Sequence, residues 1–406
     1  MVQSKPACKP GRFLMRHITR SYGPIVAAVL VAFSTPIAAQ APNLEAVARN
    51  LVQAGMVKTG DKVLITGSVR DAALMEDIAI ETMKAGGQPM ITLGSERLTR
   101  RSYDEVPVSY DTLAPALDLA IVNAFDVQIA VDIGEAEDLL AGVPQARRTA
   151  RAKASEPVTQ AFYRRNVRFV NLGNGLYPTA TFARRLGTPQ SQVATAFWKA
   201  AGVPAPTLRM KGEALRGSFA DAKQITLTHR NGTDLTFGVD ASRGFISDGA
   251  ITPEKVAQGN AAVNTWLPAG ELILPAAPGT ADGKVVIDNV LWDGKEVRGL
   301  TLTYSKGRLT SMTAASDIQG LKAAYDAAGG DKDQFGFIDI GINPETRLRV
   351  GTGRVIWTAP GTVTVGLGDN RGFGGTGASD FGLATQLGGA TLKVDGRAVV
   401  ENGVLK

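Results

Sequence analysis

KTGDKVLITGSVRDAALMEDIAIETMKAGGQPMITL, residues 58–93, decides the fold of the amino-terminal half. Gly60 to Gly67 is a short β-branched and aliphatic run bounded by glycines, the pattern of a buried strand. Arg70 to Gly87 carries apolar residues at helical spacing and closes on Gly86-Gly87, which predicts a helix stopped by a residue free to take positive φ. Pro89 to Leu93 is extended again. Strand, helix, strand in that order implies a mainly parallel sheet covered by helices.

The pattern extends in both directions. Asn43 is placed to cap the helix that begins at Leu44. LDLAIVNA (117–124) and RFVNLG (168–173) read as further strands, so residues 40–215 are expected to form one α/β domain. RRTARAK (147–153) reads as the solvated face of a helix rather than a binding patch.

From 216 to 406 the pattern changes to a sheet-rich α+β domain. KQITLTHRNGTDLTFGVD (223–240) brackets an Asn231-Gly232 turn, a strong hairpin signal. KVVIDNVLWDG (284–294) is extended, and RGLTLTYSKGRLTSMTA (298–314) folds back at Lys306-Gly307. A helix is expected in DIQGLKAAYDAAGG (317–330), then strands in GFIDIGIN (336–343) and TVTVGLG (362–368).

The first 39 residues stand apart. Lys5, Lys9, Arg12, Arg16 and Arg20 precede the apolar run Pro24 to Phe33, and small residues follow to Ala39. This reads as a secretory signal cut near Ala39, which makes the mature protein periplasmic or secreted, with no membrane span. Removing the leader's five basic residues from 44 leaves 39 Lys and Arg against 38 Asp and Glu. Near neutrality gives no support for a nucleic-acid or anionic-membrane partner. The one cysteine, Cys8, lies in the leader, so the mature chain has neither disulfide nor thiolate metal site.

The glycine-rich stretch GLGDNRGFGGTGASDFGLA (366–384) is the first place to look for chemistry. A dinucleotide loop needs a third glycine where Arg371 stands, and two aspartates oppose a pyrophosphate. No nucleophile elbow is present, and His229, two residues before the hairpin turn, reads as a strand-end histidine facing water. His17 lies in the leader, and the single histidine of the mature chain cannot furnish a conventional zinc site. Carboxylates remain: Glu271 in the proline-flanked WLPAGELILPAAPGT, Asp339 in a strand, and Asp369 and Asp380 in the glycine-rich stretch.

PAGELILPAAPGTADGKVVID (268–288), GTDLTF (232–237), DIGINP (339–344) and GTVTVGLGDNRGFGGTGASDFGL (361–383) together resemble the thermophilic metallo-aminopeptidases, the aminopeptidase T and S group. The resemblance implies that fold, a homodimer, and two metal ions held by glutamates, histidines and an aspartate that activate water to remove an amino-terminal residue. Of the ligands it implies, Glu271 alone is retained. Phe337, Thr364, Gly382 and Ala384 occupy the positions of a glutamate, two histidines and an aspartate. Asp339 is on the strand face of Phe337 but is not the matching position, and Ser379 is kept. The iron-dependent dihydroxypyridine dioxygenases, a related branch, also need the missing histidines.

These substitutions lead to an exported protein with no metal and no other cofactor, binding a peptide or another small molecule. The alternative is a hydrolase rebuilt on Glu271, Asp369 and Asp380, with Asp339, and with zinc, cobalt or manganese only in that case. A standard aminopeptidase with a different ligand set, and a protein whose old cleft is filled by packing, are the remaining readings.

Overall fold

The βαβ unit at 58–93 is the first turn of a five-stranded parallel sheet. In the computed structural model, which describes residues 42–136, 138–348 and 356–406, the strands in chain order begin with β1 (Lys62–Gly67), β2 (Gln88–Leu93), β3 (Val127–Val131) and β4 (Arg168–Leu172). There follow β5 (Ile225–Thr228), β6 (Asp234–Phe237), β7 (Phe245–Ser247), β8 (Asn264–Leu267), β9 (Glu271–Pro275), β10 (Asp282–Trp292) and β11 (Lys295–Ser305). The last are β12 (Arg308–Thr313), β13 (Phe335–Gly341), β14 (Val363–Gly368), β15 (Gly382–Leu387), β16 (Thr391–Val394), β17 (Arg397–Glu401) and β18 (Val404–Leu405). The leader and its expected cleavage point lie outside the described residues.

The parallel sheet runs β2-β1-β3-β4-β8. Its last strand comes from beyond residue 215, so the chain returns to the first sheet after starting the second half. Local chemistry behaves as the sequence dictates. Asn43 accepts a hydrogen bond from the Ala46 N–H at 3.1 Å and starts the first helix. Gly86, with φ +82°, ends the helix Ala72–Lys84, and a Cβ there would lie 2.7 Å from the Thr59 hydroxyl. Alternate residues of β3 and β4 are buried, and Val127, Ile129, Val170 and Leu172 meet Leu51, Ile65 and Ile78 in one core.

LDLAIVNA is the exception. Residues Ala116–Val122 are a helix, and the strand lies further on at Val127–Val131. A short apolar run has no period of its own, and packing decides it. Here Val122 is buried beside Phe125 while Leu117 is 72 % exposed, a one-sided burial that a helix satisfies.

The second half forms two antiparallel sheets. Eight strands run β12-β11-β10-β6-β5-β16-β17-β18, and five run β15-β14-β13-β9-β7. The expected hairpins are present. β5 pairs with β6 across residues 229–233, and β11 turns into β12 at Lys306 and Gly307, both with positive φ as a tight two-residue hairpin requires. One face of the five-stranded sheet, with Leu272, Leu274, Ile338, Ile340, Val363 and Val365, packs against the larger sheet's Leu227, Leu235, Val285 and Leu302 in a second core. No helix among the described residues is long and apolar enough to cross a membrane.

Candidate functional site

The other face of the five-stranded sheet gathers the residues singled out in the sequence. Register fixes which side chains share it, because directly opposed residues of antiparallel strands point the same way. Glu271 opposes Ser247 and Gly341. One step along, Asp339 lies between Ile273 and Thr364, and Thr364 opposes Gln386. The next row is Pro275, Phe337, Gly366 and Ala384, and the last is Gly368 with Gly382. Glu271, Phe337, Thr364, Gly382 and Ala384 therefore lie on one surface, and Asp339 sits among them.

Two sequence motifs lock Glu271 in place. The chain leaves the parallel sheet at Leu267 and enters β9 at Glu271, across Pro268-Ala269-Gly270. Gly270 has φ +119°, and a Cβ there would lie 2.5 Å from that of Asn343, so no larger residue fits. Asn343, fully buried, donates its amide to the carbonyls of Ala269 and Ala200 at 2.5 and 3.1 Å. The Ile342 N–H donates to Gly270 O at 2.8 Å. P-A-G-E and G-I-N-P are thus two halves of one clamp.

The Glu271 carboxylate is wholly buried. Trp266 Nε1 donates to Oε2, and Asn174 Nδ2 donates to Oε1 at 3.3 Å. Burial pushes its pKa up to about 8, against the pull of those two donors. Asp339 is raised well above the ordinary range, first by burial and then by the neighbouring Glu271 charge. Asp339 Oδ1, Thr364 Oγ1 and Ser247 Oγ are buried with no hydrogen-bond partner among the described residues. The sequence reading missed Asn174 and Trp266, although Asn174-Gly175 is a turn dipeptide after a strand and Trp266 lies in the P-A-G-E segment itself.

At Phe337 the surface is apolar. Its ring stacks on Phe373 with centroids 4.0 Å apart and planes at 23°, and it packs with Phe245 and Ile273. A Cβ on Gly366 would lie 2.1 Å from this ring, which fixes glycine there.

The other carboxylates are elsewhere. Asp369 follows the last row, about 20 Å along the strands from Glu271 at roughly 3.3 Å per residue. Its carboxylate is held by Arg371, whose Nε and backbone N–H each donate at 2.9 Å. Asp380 is exposed at the same end of the sheet. The structure brings Glu271 and Asp339 together and leaves Asp369 and Asp380 apart from them. Among the described residues, no group of three or more His, Cys, Asp and Glu side chains is arranged to hold a metal ion.

A cavity of about 470 Å³ borders this face. Ala384, Gln386, Asn174, Trp357, His229 and Asp288 are among the residues that line it. His229 is half-buried and accepts the Asn231 N–H at Nδ1, 3.2 Å away, so it does not face water freely. The cavity lies beyond the carboxyl end of β4, where parallel sheets place ligands. The crevice between β1 and β3 is closed instead by Arg70, which spans Asp71, Glu135 and the Asp132 carbonyl at 2.6 to 2.8 Å and lies over the Tyr177 ring.

Comparison with known proteins agrees with this architecture. The family model described as thermophilic metalloprotease (M29) matches residues 40–332. The structure of wild-type AmpT from Thermus thermophilus is similar with a TM-score of 0.66 at 19 % identity, covering 88 % of this chain and 99 % of its own. The 2,5-dihydroxypyridine dioxygenase from Pseudomonas putida KT2440 is similar with a TM-score of 0.54 at 12 % identity, covering 89 % and 96 %. At these identities the two structures speak for the fold. Among curated proteins, no sequence matches.

Proposed function

This chain belongs to the thermophilic metalloprotease family M29, and from that premise we propose that it has given up the family's dinuclear metal centre and binds a short peptide or another small molecule. One observation carries the reading: the ring of Phe337, stacked on Phe373 and packed over Gly366, fills the middle of the face where a ligand carboxylate is expected. Thr364, Gly382 and Ala384 offer at most one hydroxyl between them. A buried pair of carboxylates, one already engaged by Trp266 and Asn174, does not fit two divalent ions, which need several charged or imidazole ligands acting together.

The cavity beside Ala384 supports binding. Its volume is in the range of small-molecule sites, and Asp288 and Arg230 give it both signs of charge, suited to a zwitterion such as a short peptide. The hydrolase alternative built on Glu271, Asp369 and Asp380 finds no support in a separation of about 20 Å. Export to the periplasm, from the leader, belongs to the same proposal.

Metal analysis of protein purified without chelators, combined with an amino-acid p-nitroanilide assay, tests it. The expected result is no stoichiometric zinc, cobalt or manganese and no hydrolysis above background. Stoichiometric metal with hydrolysis abolished by chelation would overturn it.

A further inference from the structure

The glycine-rich stretch 366–384 brings no charged or imidazole side chain onto the sheet face; between β14 and β15, residues 369–381 fold into a fixed loop beside it. Asn370, 1 % exposed, is its peg. The amide donates to Gly336 O at 2.9 Å, Oδ1 accepts from the Gly377 N–H at 2.8 Å, and the Asn370 carbonyl accepts from the Phe373 and Gly375 N–H at 3.0 and 2.9 Å. Gly374, with φ +84°, lies against the turn Asp240 to Arg243, where a Cβ would come within 2.3 Å of the Arg243 carbonyl oxygen.

That contact helps to form a second cavity, of about 710 Å³, between the loop, the turn and the end of the helix Gln145–Arg164. Its charged lining residues are three arginines, Arg164, Arg243 and Arg371, with no carboxylate among them. Arg371 is already engaged by Asp369 and, at 3.7 Å, by Glu156. No carboxylate among the described residues lies within ion-pair distance of Arg164 or Arg243. Phe245, 5 % exposed, gives the cavity an apolar wall backed by Trp266 at 6.2 Å between ring centroids. Guanidinium groups present planar forks that match carboxylate and phosphate oxygens, and Arg164 and Arg243, without an acid partner at the same concavity, favour an anion there.

We propose that this cavity binds a small organic anion, a carboxylate or phosphate carried on a flat apolar body. It is separate from the cavity beside Ala384, so either proposal can fail alone.

The test is titration of the full chain with benzoate and with phenyl phosphate, with benzyl alcohol as the neutral counterpart, read by calorimetry and tryptophan fluorescence at low salt. At least one anion is expected to bind where benzyl alcohol does not, and the tighter of the two identifies the head group. Arg164→Glu and Arg243→Glu should each weaken binding about tenfold or more. Both side chains are exposed, so the variants should keep the wild-type melting curve. Arg230→Glu, in the other cavity, should leave the affinity unchanged. Equal binding of the neutral compound, indifference to both reversals, loss on Arg230→Glu, or no anion bound at about 10 mM would each overturn the proposal.

Discussion

Glu271 illustrates how burial and a few neighbours set the chemistry of one residue. Buried at the clamp of Gly270 and Asn343, it has two hydrogen-bond donors and an acidic neighbour, and its carboxyl titrates near pH 8. A carboxyl whose folded pKa lies above its unfolded one binds an extra proton in the folded state between those values. Stability from this group is therefore complete below the ordinary pKa of 4.5 and is lost as pH rises through about 8. Asp339 shifts in the same direction and adds to the slope. The expected result is a protein less stable at pH 9 than at pH 6, by something on the order of 3 kcal/mol. Glu271→Gln should flatten that dependence in denaturant melts. Superposable pH profiles for the two proteins would contradict the assignment.

The helix Gln145–Arg164 shows the same lesson for an element. RRTARAK suggests a solvated face, and it is helical, but Arg147 and Arg151 turn inward onto Asp111, whose side chain is 1 % exposed. Arg147 donates at 2.5 Å and Arg151 at 2.7 Å, while Arg151 also stacks over the Tyr103 ring at 3.9 Å. The hydrogen bonds from Arg147, then those from Arg151, hold Asp111 down to about 2. A depressed acid contributes stability above its unfolded pKa and loses it as pH falls through the folded one. Asp111→Asn should lower the melting temperature at neutral pH and remove part of the acid limb below pH 4, with the difference from wild type vanishing near pH 2. An unchanged melting temperature at pH 7 would mean the triad is ornamental. Charge runs are ambiguous in sequence because the partner, here Asp111, is 36 residues away.

At the scale of the whole molecule, the halves are interwoven. β8, from the second half, completes the parallel sheet, and Asn343 reaches back to the carbonyl of Ala200. The described residues form one compact unit. A fragment ending at residue 215 should accordingly lack tertiary structure, because it leaves β4 an open edge and uncovers Leu172 and Val170. Near-UV circular dichroism and amide dispersion of that fragment provide the check, and a native-like spectrum would count against interdependence. The full chain should melt in a single transition.

Much of the architecture is legible in the chain. The βαβ pattern of 58–93 and the hairpin turns at Lys306-Gly307 and near Asn231-Gly232 are set by local chemistry, since backbone conformation and hydrophobic period act over a few residues. The family, too, is legible from the motifs of the chain, and the family model matches residues 40–332. What the sequence could not settle were contacts between residues far apart in it. Pairing of β9, β13 and β14 put Asp339 rather than Asp369 beside Glu271. Asn174 and Trp266 became the partners of that carboxylate, Arg147 turned inward, and Arg164, Arg243 and Arg371 came to line one cavity. Those outcomes depend on strand register and burial, which belong to the folded chain and to no segment of it.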